Sequence, residues 1–568
     1  MRKYFVWTNL LSIGFIIPFF GAPDAVAATV GNGSIITLKN GGTGDCLSVT
    51  GSSAGGGAKA QGQACSSSSF QQWKAVADAN GAYQLINVGS GLCLDDPGAS
   101  TATGTAIQQW GCGGGAWQKW QFKDAANGYA NITSVASGLY LDEDPGSSTG
   151  AVHQWTATGN TNQQWMVTSG SGSTSTGPIG FGAGTTGGAG GPVVTVTKAA
   201  DLASALCATA SNGVCTDSAP RIIRISGILN FRNTEGTRTE LGCTYSANSC
   251  SVNGKSEQIL NYANYCSGKS THNITYDAAG KTPLLVGSNK TVIGVGVNSG
   301  IMGKGLALHG GVSNIIIRNL SLTDMNDGVI WAADAITMDN ASQVWIDHNY
   351  FARIGRQMIV AGWGPAKNVD ISGNYFDGTS DYGHWCNGRA YWTMLLNGAN
   401  QTITLAGNRF HNTSGRGPET GKPSSAASTG IIHIVNNYYD STEYFTGGLS
   451  STNVVSILVE GNYYAQGDYF FPIMDTTANK TDTNSNWNFA PVSGNIARAN
   501  NTCNSVLGRD CVANVDDNGK ASDFLLNPTV MSNIQGSGSA VQAIKSVIPA
   551  DPSTVANQTF GPQANIGQ

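Results

Sequence analysis

The chain is 568 residues long, more than one hydrophobic core normally supports, so two or more domains are expected. Only 11% of the residues are charged while glycine alone numbers 76, which argues against long helices and for a turn-dense, all-β chain. A net charge of −5 supplies no basic field for nucleic acid or acidic lipid, and leans toward an uncharged substrate.

The first residues read as a secretory leader. Arg2 and Lys3 precede an apolar run from Leu10 to Phe20, and Ala25-Val26-Ala27 is a small-x-small cleavage signal, so residues 1–27 are expected to be removed. Later stretches are too short or too polar to span a bilayer. Twelve cysteines, an even number, suit the oxidising compartment that export implies. Residues 28–168 repeat themselves. Gly-Leu-Cys93-Leu-Asp-Asp-Pro-Gly returns as Gly-Leu-Tyr140-Leu-Asp-Glu-Asp-Pro-Gly, and Cys46 opens a weaker copy at the same spacing. Each copy closes on a Gln-x-Trp, ending at Trp73, Trp120 and Trp165. Three copies of one unit predict a closed, pseudo-threefold fold with the three indoles in a shared core. Cys46/Cys65 and Cys93/Cys112 stand equally far apart, which suggests one disulfide in each of the first two copies.

Residues 169–177, rich in Ser, Gly and Thr, read as a linker. From residue 178 to the C-terminus, Val/Ile-rich runs end every 25 to 34 residues in an Asn followed by an aromatic pair. The series is Asn349, Asn374, Asn408, Asn437 and Asn462, with Asn319 read as its start. That period predicts a right-handed parallel β-helix, one turn per repeat, with the Asn stacked as a structural ladder in tight turns of positive φ. A solenoid is a scaffold, so chemistry has to come from its loops. Three segments qualify: Trp331-Ala-Ala-Asp334, Ala352-Arg-Ile-Gly-Arg356-Gln, and Ser414-Gly-Arg416-Gly-Pro, with Trp385, Tyr391 and Trp392 between the last two. Asp334, Arg356 and Arg416 fall at similar phases of the repeat, where they could converge.

The N-terminal copies resemble the ricin-type β-trefoil lectins over essentially the whole segment. The resemblance implies sugar binding by an Asp near the start of a copy and an aromatic face later in it. It points to Asp95 and Trp110 in the second copy, and to Asp142, Trp155, Asn162 and Gln163 in the third. The first copy has Ser48, with Ala64 read at the aromatic position, and is expected to bind no sugar. A carboxylate bidentate to vicinal hydroxyls, with an aromatic under the C–H face, is sound recognition chemistry.

From Gly180-Phe-Gly almost to the C-terminus, the chain resembles the pectate/pectin lyase superfamily. Val344-Trp-Ile-Asp347-His348 is shared by both branches; Arg356 and the Tyr391-Trp392 pair point to the pectin lyases, because pectate lyases carry acidic calcium ligands where Arg356 stands. The resemblance implies β-elimination on methyl-esterified polygalacturonate without metal or cofactor, by a secreted monomer. It assigns Arg416 to the C5 proton, Arg356 and Asp334 to the same site, and Trp331, Trp392 and Trp385 to substrate. Two roles remain open for Arg416, proton acceptor or electrostatic stabiliser, since a guanidinium has no lone pair. The resemblance also implies the pairs Cys250–Cys386, Cys243–Cys266 and Cys503–Cys511, with Cys207 and Cys215 a local extra. Glu419 stands where the fungal enzymes tend to carry a basic residue; it either repels free galacturonate or faces away. Arg353, Asp347, His348 and Trp345 read as scaffold, and Trp363 as a further cleft aromatic. A calcium-dependent pectate lyase is the alternative enzyme, and a non-enzymatic polysaccharide-binding protein the alternative outside catalysis.

Overall fold

A computed structural model describes residues 35–566, apart from 66–67, 79–80, 126–128, 171–176, 246–249, 251–254, 422–429, 441–448, 451–454, 468–471, 475–479, 485–486 and 565. The leader and most of the linker therefore lie outside the described residues. The chain divides into two compact units, residues 1–169 and 170–568.

In the first unit, short antiparallel strands close into one twelve-stranded sheet around a core of aliphatic side chains and three buried indoles. The threefold repeat is visible in the hydrogen bonds. Trp73, Trp120 and Trp165 donate their Nε1–H to the carbonyls of Leu47, Leu94 and Leu141 at 3.1, 3.1 and 2.9 Å. A Trp is thus buried without stranding its one polar atom. Cys46–Cys65 and Cys93–Cys112 are disulfides, as their spacing suggests.

The second unit is a parallel β-helix. Among the described residues its turns build sheets of ten, nine and eight parallel strands around one long apolar core. The Val/Ile runs form the ten-stranded sheet, for instance Ala341–Asp347 paired in register with Ser313–Arg318 and Ala366–Ser372. Inside the nine-stranded sheet, Phe351, Phe376, Phe410, Tyr439 and Tyr464 stack ring on ring at 4.6–5.0 Å. At the corner between these two sheets runs the Asn ladder. Asn349, Asn374, Asn408, Asn437 and Asn462 each donate Nδ2–H to the Oδ1 of the next, at 2.9–3.0 Å, and the series ends on Asn514. Every rung is buried, and each amide is satisfied both by its neighbour in the stack and by the backbone, its Nδ2 donating also to the carbonyl of Ile317, Ile346, Ile371, Leu405 or Ile434 in turn.

Two details of the ladder differ from the sequence reading. Asn319 is not a rung: the N–H of Leu320, the next residue, donates to Asn349 Oδ1. The positive φ belongs to the residue before each of the rungs from Asn349 to Asn462, namely His348, Gly373, Gly407, Asn436 and Gly461, with φ of 51–64°, and Asn319 makes the same bend ahead of Leu320 at φ 60°. A rung in extended backbone can aim its amide along the stack, and the preceding residue makes the bend. Asn514 lacks the following aromatic pair and is separated from Asn462 by loops and a helix, so the repeat does not reveal it.

Helix Ala199–Leu206 covers one part of the core with Leu202 and Leu206. Helices Ile496–Leu507, Pro528–Gln535 and Gly538–Ser546 form a smaller core against Phe181, Ile431, Leu458 and Phe489. Cys243–Cys266, Cys250–Cys386 and Cys503–Cys511 are bonded in the pairings the resemblance implied, and the local extra, Cys207 and Cys215, is bonded as well. No helix among the described residues is long and apolar enough to cross a membrane.

Candidate active site

The eight-stranded sheet sets the geometry of the β-helix site. Ile336 pairs with Ile359, Ile359 with Met394, and Leu395 with Glu419. That register puts Asp334, Gln357, Trp392 and Arg416 at one phase on successive turns, just ahead of the strands, with Arg356 one residue earlier. Adjacent strands lie about 4.8 Å apart, so the turns of Arg356 and Arg416 are separated by about 10 Å. The three residues read from sequence therefore do line one edge.

Asp334 and Arg356 make a two-pronged pair: Nε donates to Oδ1 at 2.8 Å and Nη2 to Oδ2 at 2.6 Å. The backbone N–H of Gln357 donates to the same Oδ1 at 2.9 Å. Both carboxylate oxygens are thereby committed to nitrogen donors, in the fork geometry that fixes a guanidinium most firmly. The flat face of Arg356 lies 3.9 Å from the centre of the Trp331 ring, and Trp331 is itself held at φ 75°. Arg416, two turns on, also lies between an indole and an acid, but without the two-pronged fork. Its guanidinium stands 4.6 Å from the Trp392 ring and 5.8 Å from Tyr391, and its Nε is 2.7 Å from Glu419 Oε2. Glu419 thus turns toward Arg416, which decides between the two orientations left open by the sequence.

Trp331 and Trp392 pack on one apolar cluster with Tyr245, Tyr265 and the Cys243–Cys266 disulfide. Behind Trp392, the buried Glu257 lies 3.4 Å from both the Trp392 Nε1–H and His384 Nδ1. Trp385 joins this group through the His384 ring, 4.5 Å away. Trp363 does not: it follows the strand Ile359–Ala361 whereas Arg356 precedes it, so it sits exposed at the opposite end. The residues read as scaffold behave so. Arg353 is forked onto Asp324 at 2.6 and 2.9 Å, and Asp347 accepts from Arg318 and Ser372 within the ten-stranded sheet.

Two site residues were not found from sequence. Tyr262, strongly exposed, tilts against Trp331 at 4.9 Å and extends its platform. Lys281 donates from Nζ to the Trp331 carbonyl at 2.7 Å, and burial pushes its ammonium below the ordinary lysine value. Both come from insertions between early strands, far from any recognisable motif. Among the described residues no three His, Cys, Asp or Glu side chains converge as metal ligands would.

In the first unit, the second and third copies each present an acid and an exposed aromatic. Asp95 accepts from Gln108 and Gln118 at 2.9 and 3.0 Å; with Trp110 and Trp117 it lines a cavity of about 500 Å³. Trp110 is 53% exposed and Trp117 42%. Asp142 accepts from Asn162 at 2.9 Å and Gln163 at 2.7 Å, with His153 at 3.2 Å and the 39% exposed Trp155 alongside. Gln118 and Gln163 are buried orienters of the acid, so Gln163 stands behind Asp142 instead of facing outward. Trp117 takes the place that Asn162 has in the third copy, which is why matching copies by residue type overlooked it. In the first copy the strand register pairs Cys46 with Gln63, as it pairs Cys93 with Trp110. Gln63, not Ala64, holds the aromatic position there, and Ser48, paired with Gln61, stands in place of the acid.

The comparisons bear on both units. A family model described as "Pectate lyase" matches residues 243–517, and one described as "Ricin-type beta-trefoil lectin domain-like" matches 25–110 and 116–176. "Probable pectin lyase F" of Neosartorya fischeri is 39% identical over 300 residues, 53% of this chain and 74% of that protein. "Pectin lyase D" of Aspergillus niger is 36% identical over 361 residues, 63% of this chain and 87% of that protein. "Probable pectin lyase F-1" of Aspergillus terreus is 40% identical over 302 residues, covering 53% and 73%.

Proposed function

The chain belongs to the pectate lyase family, and on that premise we propose that its β-helix unit is a pectin lyase. It cuts methyl-esterified polygalacturonate by β-elimination, without metal, to 4,5-unsaturated products. The trefoil unit holds the same cell-wall polysaccharide through Asp95/Trp110 and Asp142/Trp155, with Asn162 facing the ligand. The protein acts as a secreted monomer, its domains bounded as read from the sequence.

The observation that carries this reading is the Asp334–Arg356 fork. In the elimination the C5–H bond breaks, the electron pair forms C4=C5, and the C4–O bond breaks, its oxygen taking a proton from water. A carboxylate at C6 makes the C5 proton weakly acidic and calls for a divalent ion; a methyl ester is already neutral and needs only a donor for the developing enolate oxygen. Arg356 is that donor, locked by Asp334 and laid on Trp331 before substrate arrives. With both Asp334 oxygens engaged by Arg356 and Gln357, its carboxylate orients a cation of the protein. Arg416 meets the C5 side of the sugar and takes the proton, which requires it first to lose one; the rate then rises with pH through the alkaline range. Trp331, Trp392 and Trp385 supply platforms for a polymer of low charge density.

The test is the ultraviolet absorbance of unsaturated product from highly methylated pectin and from polygalacturonate, each with and without chelator. Turnover of pectin that survives chelation is expected. Turnover of polygalacturonate alone, lost on chelation, identifies a calcium-dependent pectate lyase instead.

A further inference from the structure

We propose that Lys281 forms a subsite for the free carboxylate of an unesterified galacturonate residue lying near the methyl-esterified one that is cut. The inference rests on the pectin lyase reading and adds a second requirement to the substrate.

The cations along the cleft edge are not equivalent. Arg356 is matched by Asp334, Arg416 by Glu419, and Lys304, one turn from Lys281, by Glu235. Each of these pairs is close to neutral, which suits an ester. Lys281 is different. It is half-buried and its Nζ donates to the Trp331 carbonyl, yet it has no ion pair among the described residues. An ammonium has three donors, and one backbone carbonyl with the edge of cation–π range to the Tyr276 ring, 5.9 Å away, does not offset the cost of holding a charge out of water. The acids that act on it, Glu240 and Asp334, are engaged elsewhere: Glu240 is exposed and accepts from the Tyr276 hydroxyl, and Asp334 holds Arg356. Arg238, on the same strand as Glu240, adds positive charge at the solvent edge. The outcome is a positive spot without an ion pair of its own among the described residues, joined to the reaction centre through one residue. Trp331 receives Lys281 on its carbonyl and carries Arg356 on its ring. A carboxylate on a sugar neighbouring the cut site would complete the charge balance there, and a methyl ester would not.

The experiment compares kcat/KM on fully methylated pectin and on pectin with about half of its esters removed at random, for the wild type, Lys281→Gln and Lys281→Arg. The wild type is expected to favour the partly de-esterified polymer, and Lys281→Gln to lower that preference about tenfold, the size of one charge-assisted hydrogen bond. Lys281→Arg should retain most of it. In the wild type, raising salt from 20 to 500 mM should erode the preference, since screening acts on the carboxylate contact. A preference that is absent in the wild type, or unchanged in Lys281→Gln and indifferent to salt, overturns the subsite. Failure of the underlying reading looks different: the wild type then yields no unsaturated product from either pectin.

Discussion

The two units are both built by repetition, yet they solve the problem of ending a repeat in opposite ways. The trefoil closes on itself: three copies bring three indoles into one core, each indole bonded to the same backbone position of its own copy. The β-helix stays open, and its repeat is bonded from one turn to the next by buried Asn amides. Closure treats the copies alike, so the trefoil carries two versions of one candidate site. An open stack imposes no such equality on its loops, and the β-helix gathers its charged residues at a single edge.

The contrast extends to buried acids. In the trefoil, Asp96 and Glu143 occupy equivalent buried positions; burial raises them to about 6 and about 7, neighbouring acids adding to the effect and the Thr43 hydroxyl opposing it for Glu143. In the β-helix, burial works against Glu460 as well, but Arg509 and His433 outweigh it and bring it to about 2. Two β-helix acids follow the trefoil pattern and are raised by burial: Asp370, under the segment Gly180–Gly182, and Asp327, which reaches about 6. The lesson is that an acid buried without a cation beside it holds its proton, whereas Glu460, with Arg509 against it, stays charged.

The largest expected effect separates the units by function. Arg356→Ala should lower kcat on highly methylated pectin by about 10²–10³-fold, as removal of a preorganised donor does, while binding to insoluble pectin persists through the trefoil. Near-normal turnover in this variant would show that the cleft edge is scaffold and leave a binding protein. Next, Asn408→Ala should destabilise the β-helix by about 3 kcal/mol, because it leaves the buried backbone N–H of Asn374 without its acceptor and removes the bonds that Asn408 Nδ2 donates to Ile371 O and Asn437 Oδ1. In calorimetry the β-helix transition should fall and the trefoil transition stay. Equal shifts in both would mean the two units do not melt separately.

A third prediction uses the acids. Asp96 and Glu143 hold their protons more tightly folded than unfolded, so their contribution is full below about pH 4 and is lost as pH rises through 6 to 7. Glu460 runs the other way: its contribution is present above about pH 4.5 and is lost as pH falls toward 2. As pH falls from 7.5 to 5 the trefoil transition should therefore rise, and Asp96→Asn should remove about 1.4 kcal/mol of that dependence. A trefoil stability that is flat over this range would contradict the assignment. The smallest effects concern sugar contacts. Trp110→Ala and Trp155→Ala should each weaken retention on pectin by about fivefold, near 1 kcal/mol, without altering turnover of soluble substrate. If neither variant changes retention, the polysaccharide does not bind where the exposed aromatics are.

Repetition made much of this legible in the sequence. The Gln-x-Trp units disclose the trefoil, and the Asn-aromatic steps disclose the β-helix, because each recurs at a fixed phase of its backbone. Register at single residues was less legible: Asn319 and Ala64 each lie one position from the residue that fills the role, since a strand alternates faces at every step. Lys281 and Tyr262 sit on insertions without a repeat to align them. The orientation of Glu419 is a side-chain matter: spacing places it beside Arg416, and only the folded loop turns it inward.

The Asn ladder has a consequence for how such an enzyme can diversify. Because each rung must touch the next, the corner it occupies tolerates no extra residues, and the turns stay aligned whatever happens elsewhere. The uneven intervals between rungs, from 25 to 34 residues up to Asn462, are absorbed in the stretches that lead away from the ladder corner. The molecule thus separates a fixed spine from interchangeable loops. Cleft segments transplanted from relatives with other substrate preferences should be accepted as long as the spine is left intact.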